Sequence, residues 1–410
     1  MYREIEHCRM SKSNNLINIL NLGEHSISGI FPRDKNQKVD TAPLELLWCP
    51  DSGLLQLKHT YSLEQMYGLE YGYRSALNQS MVNHLTNKVK LLENIVKVNS
   101  SDMIIDIGSN DGTTLKAYSN NAKKVGIDPT GIKFKKYYTD DVILIDDFFP
   151  TPKLNLLFPN KKAKIITSIA MFYDLEDPVS FVESIAEVLD KNGIWHFEQS
   201  YLPSMLRQNA YDTVCHEHLE YYSLHNIIKI LSSCKLKVLD IQINDINGGS
   251  FAVTTTHSNC KTLKQNHAII NWMLEEEDKM GLHTEKPYRE FEKRVLAHKN
   301  SLKDLVDKLI EDGKKIFGYG ASTKGNVLLQ YCGFSENEIQ YIAEINEDKF
   351  GCFTPGTHIP IISESEAKKM KPDYFLVLPW HFRNNIIQRE RDFLLNGGKF
   401  IFPLPFIEIV

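Results

Sequence analysis

The chain has 410 residues, which at about 150 residues per domain predicts roughly three domains, each large enough for its own core. Hydrophobic residues make up 42 % of it and charged residues 24 %, a balance typical of globular proteins that excludes collagen-like and disordered classes. Because 47 basic residues stand against 52 acidic ones, the net charge is -5, and no chain-wide field favours nucleic acid or an anionic membrane. We therefore expect no nucleic-acid partner.

Neither a membrane segment nor a secretion signal is predicted. No run approaches the roughly 18 apolar residues of a membrane span, and the first residues, MYREIEHCRM, carry charges where a signal peptide is apolar. The cysteines are odd in number and widely spread, which argues against a disulfide framework: Cys8, Cys49, Cys215, Cys234, Cys260, Cys332 and Cys352. These features predict a cytoplasmic protein without a membrane partner.

The first part of the chain, residues 1–75, combines many turn residues with little periodicity, which predicts a small, irregular, β-rich module. Apolar side chains at helical spacing from Met81 to Leu92 predict a helix, and the segment MIIDIGSNDG predicts a buried strand entering a glycine-containing turn. Strands and helices then alternate as far as Glu198, which favours a parallel sheet with crossover helices. The predicted fold class is α/β with a doubly wound central sheet.

Two further parts follow this central domain. A charged composition predicts a helical connector, and the segment KKIFGYGAS then restarts the pattern of strand, turn and helix. The predicted order is an N-terminal module, a central domain, the connector and a Rossmann-like C-terminal domain, at residues 1–75, 76–258, 259–310 and 311–410.

The loop after the first central strand predicts a ribose-bearing cofactor. Its glycines let the backbone approach a ligand, and Asp128 ends the next strand, where a carboxylate can accept hydrogen bonds from ribose hydroxyls. The loop matches neither GxGxxG nor the GK[ST] of a phosphate loop, so S-adenosylmethionine fits better than NAD or ATP. The alternative is a turn between strand and helix in which the glycines are needed for steric reasons alone and bind no cofactor.

Two acidic residues at the end of the third strand, Asp146 and Asp147, are candidates for the adenine amino group, unless this loop end is only solvated. With them, the predicted cofactor contacts are Asp106, Gly108, Ser109, Asn110, Asp111, Gly112, Asp128, Asp146 and Asp147.

Motifs along nearly the whole chain resemble one family. In the centre these are DIGSNDGTTL, VGIDPTG, SIAMFYDLEDP, FEQSYLPSML, YDTVCHEHLEYYSL and NGGSF. At the two ends they are LNLGEHSISGIFP, GLLQL, GYGASTKGNVLL, PGTHIPI and LPW. Together these segments resemble the sugar C-methyltransferases that make branched deoxysugars. The resemblance implies a small zinc-binding module, a class I methyltransferase domain that binds S-adenosylmethionine, and a C-terminal Rossmann-like domain that shapes a nucleotide-sugar site.

The sequence departs from this family in the N-terminal module. The family has two Cys-x-x-Cys pairs there, whereas here Cys8 is followed by Ser11 and Cys49 by Ser52. Two thiolates do not complete a four-ligand structural site, and serine is a poor zinc ligand. We therefore expect the module to lack zinc, with substitution by the imidazoles of His7 and His25 as the alternative.

Methylation of a carbon next to a ketone requires a base, donors for the oxyanion and correct positioning of that carbon. His216, Glu217 and His218 lie between a predicted apolar strand and an aromatic pair, an unusual density of acid–base groups. By resemblance, Glu217 and His218 match the family's active-site pair. We predict His218 as the base, Glu217 as its orienting group or a sugar ligand, and Tyr222 as a hydroxyl donor. A structural role is the alternative for His218, and His216 either binds substrate or is structural.

Further substrate contacts are predicted with structural alternatives. Tyr71 and Tyr73 match the family's substrate-facing tyrosine region, and we predict that one of them, Tyr73 as a catalytic residue, donates to the sugar ketone, with core packing as the alternative. Asn247 belongs to a tight turn or a substrate loop. Family members often have tyrosine and histidine where this chain has Cys215 and approximately Phe172, which leaves the methylated atom open.

In the C-terminal domain, backbone N–H groups of a glycine loop and one ammonium could hold a nucleotide diphosphate, or the loop could serve the fold alone. The residues concerned are Gly318, Tyr319, Gly320 and Lys324. Trp380 and His381 are candidates for lining the cleft between domains.

Three hypotheses about function follow. The first is carbon methylation of a nucleotide-linked 4-keto-deoxysugar through an enolate, feeding a surface polysaccharide or a glycosylated natural product. The second keeps S-adenosylmethionine but transfers the methyl group to oxygen or nitrogen. The third is a nucleotide-sugar-binding protein without turnover. The sequence predicts neither the sugar nor the oligomeric state.

Overall fold

The computed structural model describes residues 2–62, Met66 and residues 74–410. Its strands are β1 (Tyr2–Glu4), β2 (Ile17–Ser26), β3 (Thr41–Trp48), β4 (Leu55–Leu57), β5 (His59–Tyr61), β6 (Met103–Ile107), β7 (Lys123–Ile127), β8 (Val142–Ile145), β9 (Ala163–Ile169), β10 (Leu189–Ser200), β11 (Glu220–Tyr221), β12 (Leu236–Asn244), β13 (Ser250–His257), β14 (Ile316–Tyr319), β15 (Ile342–Glu344), β16 (Ile361–Ser363), β17 (Tyr374–Val377), β18 (Lys399–Phe402) and β19 (Glu408–Ile409). Its α-helices span Gln79–Ile95, Thr113–Lys116, Gly131–Phe134, Pro152–Leu157, Pro178–Val188, Leu202–Arg207, Leu224–Ser233, His267–Met280, Lys286–Glu311, Thr323–Cys332, Glu364–Lys369, Arg383–Arg389 and Arg391–Leu395.

The central sheet has, among the described residues, seven strands in the order β12-β13-β10-β9-β6-β7-β8. The five strands from β10 to β8 run parallel, whereas β13 pairs antiparallel with both β10 and β12. Every residue of β6 is buried, as expected of a strand covered by helices on both faces. The strand order reverses between β6 and β9, so the carboxyl ends of these strands open a crevice for a ligand. The predicted doubly wound α/β class is confirmed.

The N-terminal module shares its sheet with the central part of the chain. Within the described ranges, β2, β3 and β4 form an antiparallel sheet whose fourth strand is β11. Since β11 directly follows the segment that carries Glu217 and His218, its pairing with β4 holds that segment against the N-terminal module.

The C-terminal sheet has, in the part of the chain that the structure describes, the order β16-β15-β14-β17-β18-β19, with β19 as the antiparallel strand. The N-terminal module packs against this domain through side chains of the helix Thr323–Cys332. Gln330 accepts a hydrogen bond from the backbone N–H of Ser26, and Asn326 donates one to the carbonyl of Ser28. The first and last hundred residues are thus in direct contact.

The segment before His216 differs from its prediction. We expected an apolar strand, but Leu202–Arg207 is a helix and Tyr211–Thr213 is a 3₁₀ turn. The apolar side chains of this segment enter a core shared with the N-terminal module and the C-terminal domain. The prediction was wrong because a short helix with mostly buried side chains gives the same apolar run as a buried strand. None of the described helices combines the length and the apolar character needed to cross a membrane.

Candidate active site

A cavity of about 430 Å³ lies at the carboxyl ends of β6, β7, β9 and β10. The loop after β6 lines one end of it, the segment before β11 lines the other, and the helix Thr323–Cys332 of the C-terminal domain contributes its first residues. Of the residues predicted for cofactor, catalysis and substrate, those that line the cavity are Asp106, Gly108, Ser109, Asn110, Asp128, Asp147, Glu217, His218, Asn247 and Lys324. The fold therefore brings residues more than 200 positions apart into one space.

The loop after β6 has the geometry of a ligand-binding turn. Gly108 has φ +72°, and a Cβ there would lie 3.2 Å from the side chain of Met171, so both the backbone and the space require glycine. Asn110 also has a positive φ, of 50°, and its side chain accepts a hydrogen bond from the backbone N–H of Ser75. The hydroxyl of Tyr138 donates to the carbonyl of Asn110. These contacts fix the loop in its open, left-handed conformation.

Two buried carboxyl groups lie at the ends of β6 and β7. Asp128 accepts the N–H of Asn110 at 2.7 Å through Oδ2, and through Oδ1 it accepts the N–H of Thr130 at 2.7 Å and the hydroxyl of Thr130 at 2.6 Å. Each carboxylate oxygen has two lone pairs, so Asp128 braces the loop and keeps acceptor capacity for a ligand. Burial raises the pKa of Asp106 to about 7, although the hydrogen bond from Thr167 acts to lower it.

At the end of β8 the two neighbouring aspartates differ. Asp147 lines the cavity together with Phe148 and Phe149, and hydrogen bonds from Thr151 and Lys153 lower the pKa of its carboxyl group. Asp146 does not line it. Asp111 and Gly112 also lie outside the lining: Asp111 accepts the N–H of Ala76 and the hydroxyl of Thr113, and Gly112 lies under the ring of Tyr138.

The segment between the 3₁₀ turn and β11 presents three reactive side chains. His218 contacts the carbonyl of Thr213 through Nδ1 at 2.9 Å, so Nδ1 carries the proton and Nε2 is the acceptor of the neutral ring. The thiol of Cys215 donates to Oε2 of Glu217 at 3.6 Å. The sulfur, one carboxylate oxygen and one ring nitrogen of these side chains lie within 4.8 Å of one another. Tyr173 packs edge-on against the imidazole, with the ring centroids 4.3 Å apart.

The electrostatics of this group favour neutral forms. Burial raises the pKa of Glu217 to about 7, although the Cys215 thiol opposes this shift. Burial and then the charge of Lys324 lower the pKa of His218 to about 3. Near neutral pH the imidazole is therefore uncharged, with its single proton on Nδ1. Glu217 titrates close to the pH at which a general base works best.

Lys324 brings a cation from the C-terminal domain into the cavity. Its ammonium donates to the carbonyl of Asn247 at 2.7 Å, and Asn247 has a left-handed φ of 55° in the turn before β13. Burial lowers the pKa of Lys324, while the charge of the buried Asp212 opposes this effect. An ammonium has three donors, so Lys324 can also bind an anionic group of a ligand.

Several predicted residues lie outside the cavity lining. His216 points into the N-terminal module, where its Nε2 contacts the carbonyl of Ala42 at 3.1 Å and its ring packs against Tyr61. Tyr222 is fully buried and stacks on Phe172, with ring centroids 5.3 Å apart. These two side chains pack into the N-terminal module and the central core, and they do not line the cavity. Tyr71 and Tyr73 lie outside the described residues.

The glycine loop of the C-terminal domain also lies beside the cavity rather than in it. Gly320 has φ +83°, and a Cβ there would lie 2.8 Å from Pro379, so this glycine serves close backbone packing. Trp380 donates from Nε1 to Asp212 at 2.7 Å, and His381 is half-buried, with its Nδ1 atom buried and without a hydrogen-bond partner among the described residues. Trp380 therefore contacts the cavity only indirectly, through Asp212, whose carboxylate interacts with Lys324.

Sequence analysis missed a buried charge cluster on the cavity wall. Glu198, at the end of β10, binds Nε2 of His84 at 2.6 Å, Nζ of Lys88 at 2.8 Å and Nδ2 of Asn244 at 2.7 Å. His84 and Lys88 lie one turn apart on the helix Gln79–Ile95, and that i, i+4 spacing of two nitrogen-bearing side chains was the available signal. These contacts hold the helix over the cavity.

Three family models match the chain. They are described as “Putative zinc binding domain” at residues 8–67, “Methyltransferase domain” at residues 84–241 and “C-methyltransferase C-terminal domain” at residues 245–405. The C-methyltransferase NovU of Streptomyces niveus is 29% identical over 411 residues, which cover 98% of this chain and 96% of the relative. The resemblance predicted from the motifs is thus confirmed across the whole chain.

Two solved structures each match less than half of the chain. The YcgJ protein from Bacillus subtilis is 14% identical with a TM-score of 0.33, covering 45% of this chain and 99% of its own. The complex of LepI with SAM is 11% identical with a TM-score of 0.34, covering 45% of this chain and 54% of its own. Likenesses this distant carry no argument about function.

Proposed function

We propose that this chain, which belongs to the S-adenosylmethionine-dependent C-methyltransferases, methylates the carbon next to the ketone of a nucleotide-linked 4-keto-deoxysugar. The observation that carries the proposal is the pairing of Glu217 and His218 in the cavity that also holds the glycine loop after β6. Carbon methylation is the kind of methyl transfer that needs a proton removed from carbon, and this pair supplies two acceptors for it.

The cofactor fits the end of the cavity around Gly108. The left-handed loop there lets the backbone approach the amino acid part of S-adenosylmethionine, Asp128 accepts from the ribose, and Asp147 with Phe148 meets the adenine. When bound, the cofactor supplies a methyl group already activated by its sulfonium. Asp128 and the loop orient it, since Asp128 is itself fixed by the N–H of Asn110.

The base is His218, assisted by Glu217. The carbonyl of Thr213 holds the proton on Nδ1, which leaves Nε2 to take the proton from the sugar carbon. An isolated imidazole in this site is a weak base, because its protonated form is buried beside Lys324. An ionised Glu217, whose carboxylate lies within 4.8 Å of the ring nitrogen, stabilises the imidazolium through its charge.

The substrate's anionic and oxyanion groups face Lys324. Its ammonium is fixed by the Asn247 carbonyl, so it is placed without further ordering when the nucleotide sugar binds. The buried thiol of Cys215 lies where family members often have tyrosine; it donates to Glu217 and offers no hydroxyl to the sugar. We therefore assign ketone recognition to the cation rather than to residue 215.

The test combines mass spectrometry of the product with NMR location of the added methyl group, using S-adenosylmethionine and a panel of nucleotide-linked 4-keto sugars. A methyl group on a ring carbon, together with exchange of the neighbouring proton for deuterium in the absence of cofactor, supports the proposal. Methylation of oxygen or nitrogen without that exchange overturns the enolate chemistry. Absence of cofactor binding would instead favour a binding protein without turnover.

A further inference from the structure

The four positions of the family's zinc site come together in this chain without a metal-binding donor set. Cys8 and Cys49 are fully buried, and Ser52 is 2 % exposed. The thiol of Cys8 lies 3.2 Å from the hydroxyl of Ser52, and the hydroxyl of Ser11 lies 3.6 Å from the sulfur of Cys49. Each cysteine of one pair thus bonds the serine of the other pair.

The two turns that carry these residues are copies of each other. In the first, the N–H of Lys12 donates to the carbonyl of Cys8, and Lys12 has a left-handed φ of 59°. In the second, the N–H of Gly53 donates to the carbonyl of Cys49, and Gly53 has φ +78°. Two equal turns facing each other form the cradle of a tetrahedral site.

The donors in this cradle do not suit zinc. Serine hydroxyls are poor ligands, and a structural site needs four donors. Among residues 2–62, 66 and 74–410, no His, Asp, Glu or further Cys joins Cys8 and Cys49 in a ligand group of three. His25, one proposed substitute, binds the carbonyl of Leu22 instead, and His7 is exposed.

Neighbouring contacts hold the second turn without a metal. The hydroxyl of Ser52 accepts the N–H of Leu54 at 3.1 Å, and the carbonyl of Ser52 accepts the side chains of Asn226 and Lys229. Asn226 and Lys229 lie on the helix Leu224–Ser233 of the central domain. The turn is therefore fixed against the methyltransferase sheet by hydrogen bonds.

We propose that the N-terminal module is stable without zinc, because two crossed thiol–hydroxyl hydrogen bonds occupy the place of the metal, and that two serine-to-cysteine changes restore a zinc site. This proposal is independent of the substrate and of the reaction. It assigns Ser11 and Ser52 the role of replacing two metal bonds with neutral contacts.

The test compares the full-length wild-type chain with the double variant Ser11→Cys/Ser52→Cys, both produced with zinc in the medium. Metal analysis should find one zinc per chain in the double variant and substoichiometric zinc in the wild type. A zinc chelator should lower the Tm of the double variant and leave that of the wild type unchanged, because structural zinc contributes directly to folding. The single variants, with three thiols each, are the matched controls and should bind zinc less tightly.

Two measurements on the wild type keep the proposal open to refutation even if the double variant does not fold. Stoichiometric zinc that is lost on Cys8→Ser or Cys49→Ser would overturn it. So would a disulfide between these cysteines, which thiol titration of the unfolded chain detects, since the structure has seven free thiols.

Discussion

The backbone carbonyl of Thr213 lies 2.9 Å from Nδ1 of His218, so the proton of the neutral imidazole is held on Nδ1. The reactive nitrogen is therefore Nε2. Glu217 is held by a different group, because its Oε2 accepts a hydrogen bond from the thiol of Cys215. The two members of the proposed base are thus oriented by different groups of one short loop.

Replacement of His218 by alanine should lower turnover about a hundredfold or more, the usual contribution of a general base. Binding of S-adenosylmethionine, measured by calorimetry, should be unchanged, because the cofactor loop lies at the other end of the cavity. His267→Ala, at an exposed helix start, is the matched control. Turnover near the wild-type value would remove His218 from the mechanism.

The pH dependence of turnover should report Glu217. Its pKa is raised from 4.5 to about 7, so the carboxylate is lost as the pH falls through 7, and the rate should fall on the acid side. Glu217→Gln should give a lower rate whose acid limb near pH 7 is absent. The same variant should unfold at higher temperature at pH 8, because the unfolded wild-type carboxyl ionises above 4.5 while the buried one resists it. An acid limb that persists in Glu217→Gln would contradict this assignment.

The variants Gly108→Ala and Gly23→Ala distinguish the loss of stability caused by backbone strain from the loss of cofactor affinity. Both glycines have positive φ, and a left-handed alanine costs about 1 kcal/mol at either position. Only Gly108 lies in the cavity lining, where a Cβ meets Met171; a Cβ at Gly23 meets nothing within 4 Å. Both variants should lose thermal stability, Gly108→Ala the more because its Cβ also meets Met171, and only Gly108→Ala should weaken cofactor binding, by about tenfold. Equal cofactor affinity in the two variants would refute the placement.

Asp128→Asn should weaken S-adenosylmethionine binding by about tenfold to a hundredfold, the scale of a hydrogen bond to a charged group. The amide also loses one acceptor for the N–H of Asn110, so the loop is less well held. Asp140→Asn, at an exposed position, is the control. Affinity for the nucleotide sugar alone should not change, and a loss there would point to misfolding.

Lys324→Met should raise the KM for the nucleotide sugar by about tenfold or more, because a charge-assisted contact is lost. The cofactor Kd should stay constant. Lys369→Met, on an exposed surface of the same domain, should leave both constants unchanged. A normal KM in Lys324→Met would move substrate recognition away from the C-terminal domain.

The fold class and the glycine-containing turn after β6 were predictable because they depend on local pattern. A buried strand, a left-handed glycine and an acid at the end of the next strand repeat in short stretches of sequence. The direction in which individual side chains point was not predictable from such short patterns. Asp146 and Asp147, or His216 and Glu217, are neighbours in sequence, yet in each pair only the second lines the cavity.

Contacts between distant segments were also beyond sequence reasoning. Lys324 reaches Asn247 because the C-terminal domain packs against the turn before β13, and no periodicity encodes that docking. The cluster of Glu198, His84 and Lys88 likewise joins a strand end to a helix more than 100 residues earlier. Burial of such charges depends on three-dimensional packing.

The hydrogen bond from Ser26 to Gln330 spans 304 positions, and β11 completes the sheet begun by β2 to β4. During synthesis, the N-terminal module leaves the ribosome with one sheet edge uncovered and with no surface yet available for residues 26–32. An uncovered edge favours aggregation until β11 arrives, and loop closure over such distances slows folding. Completion of the N-terminal module therefore depends on segments that are translated much later.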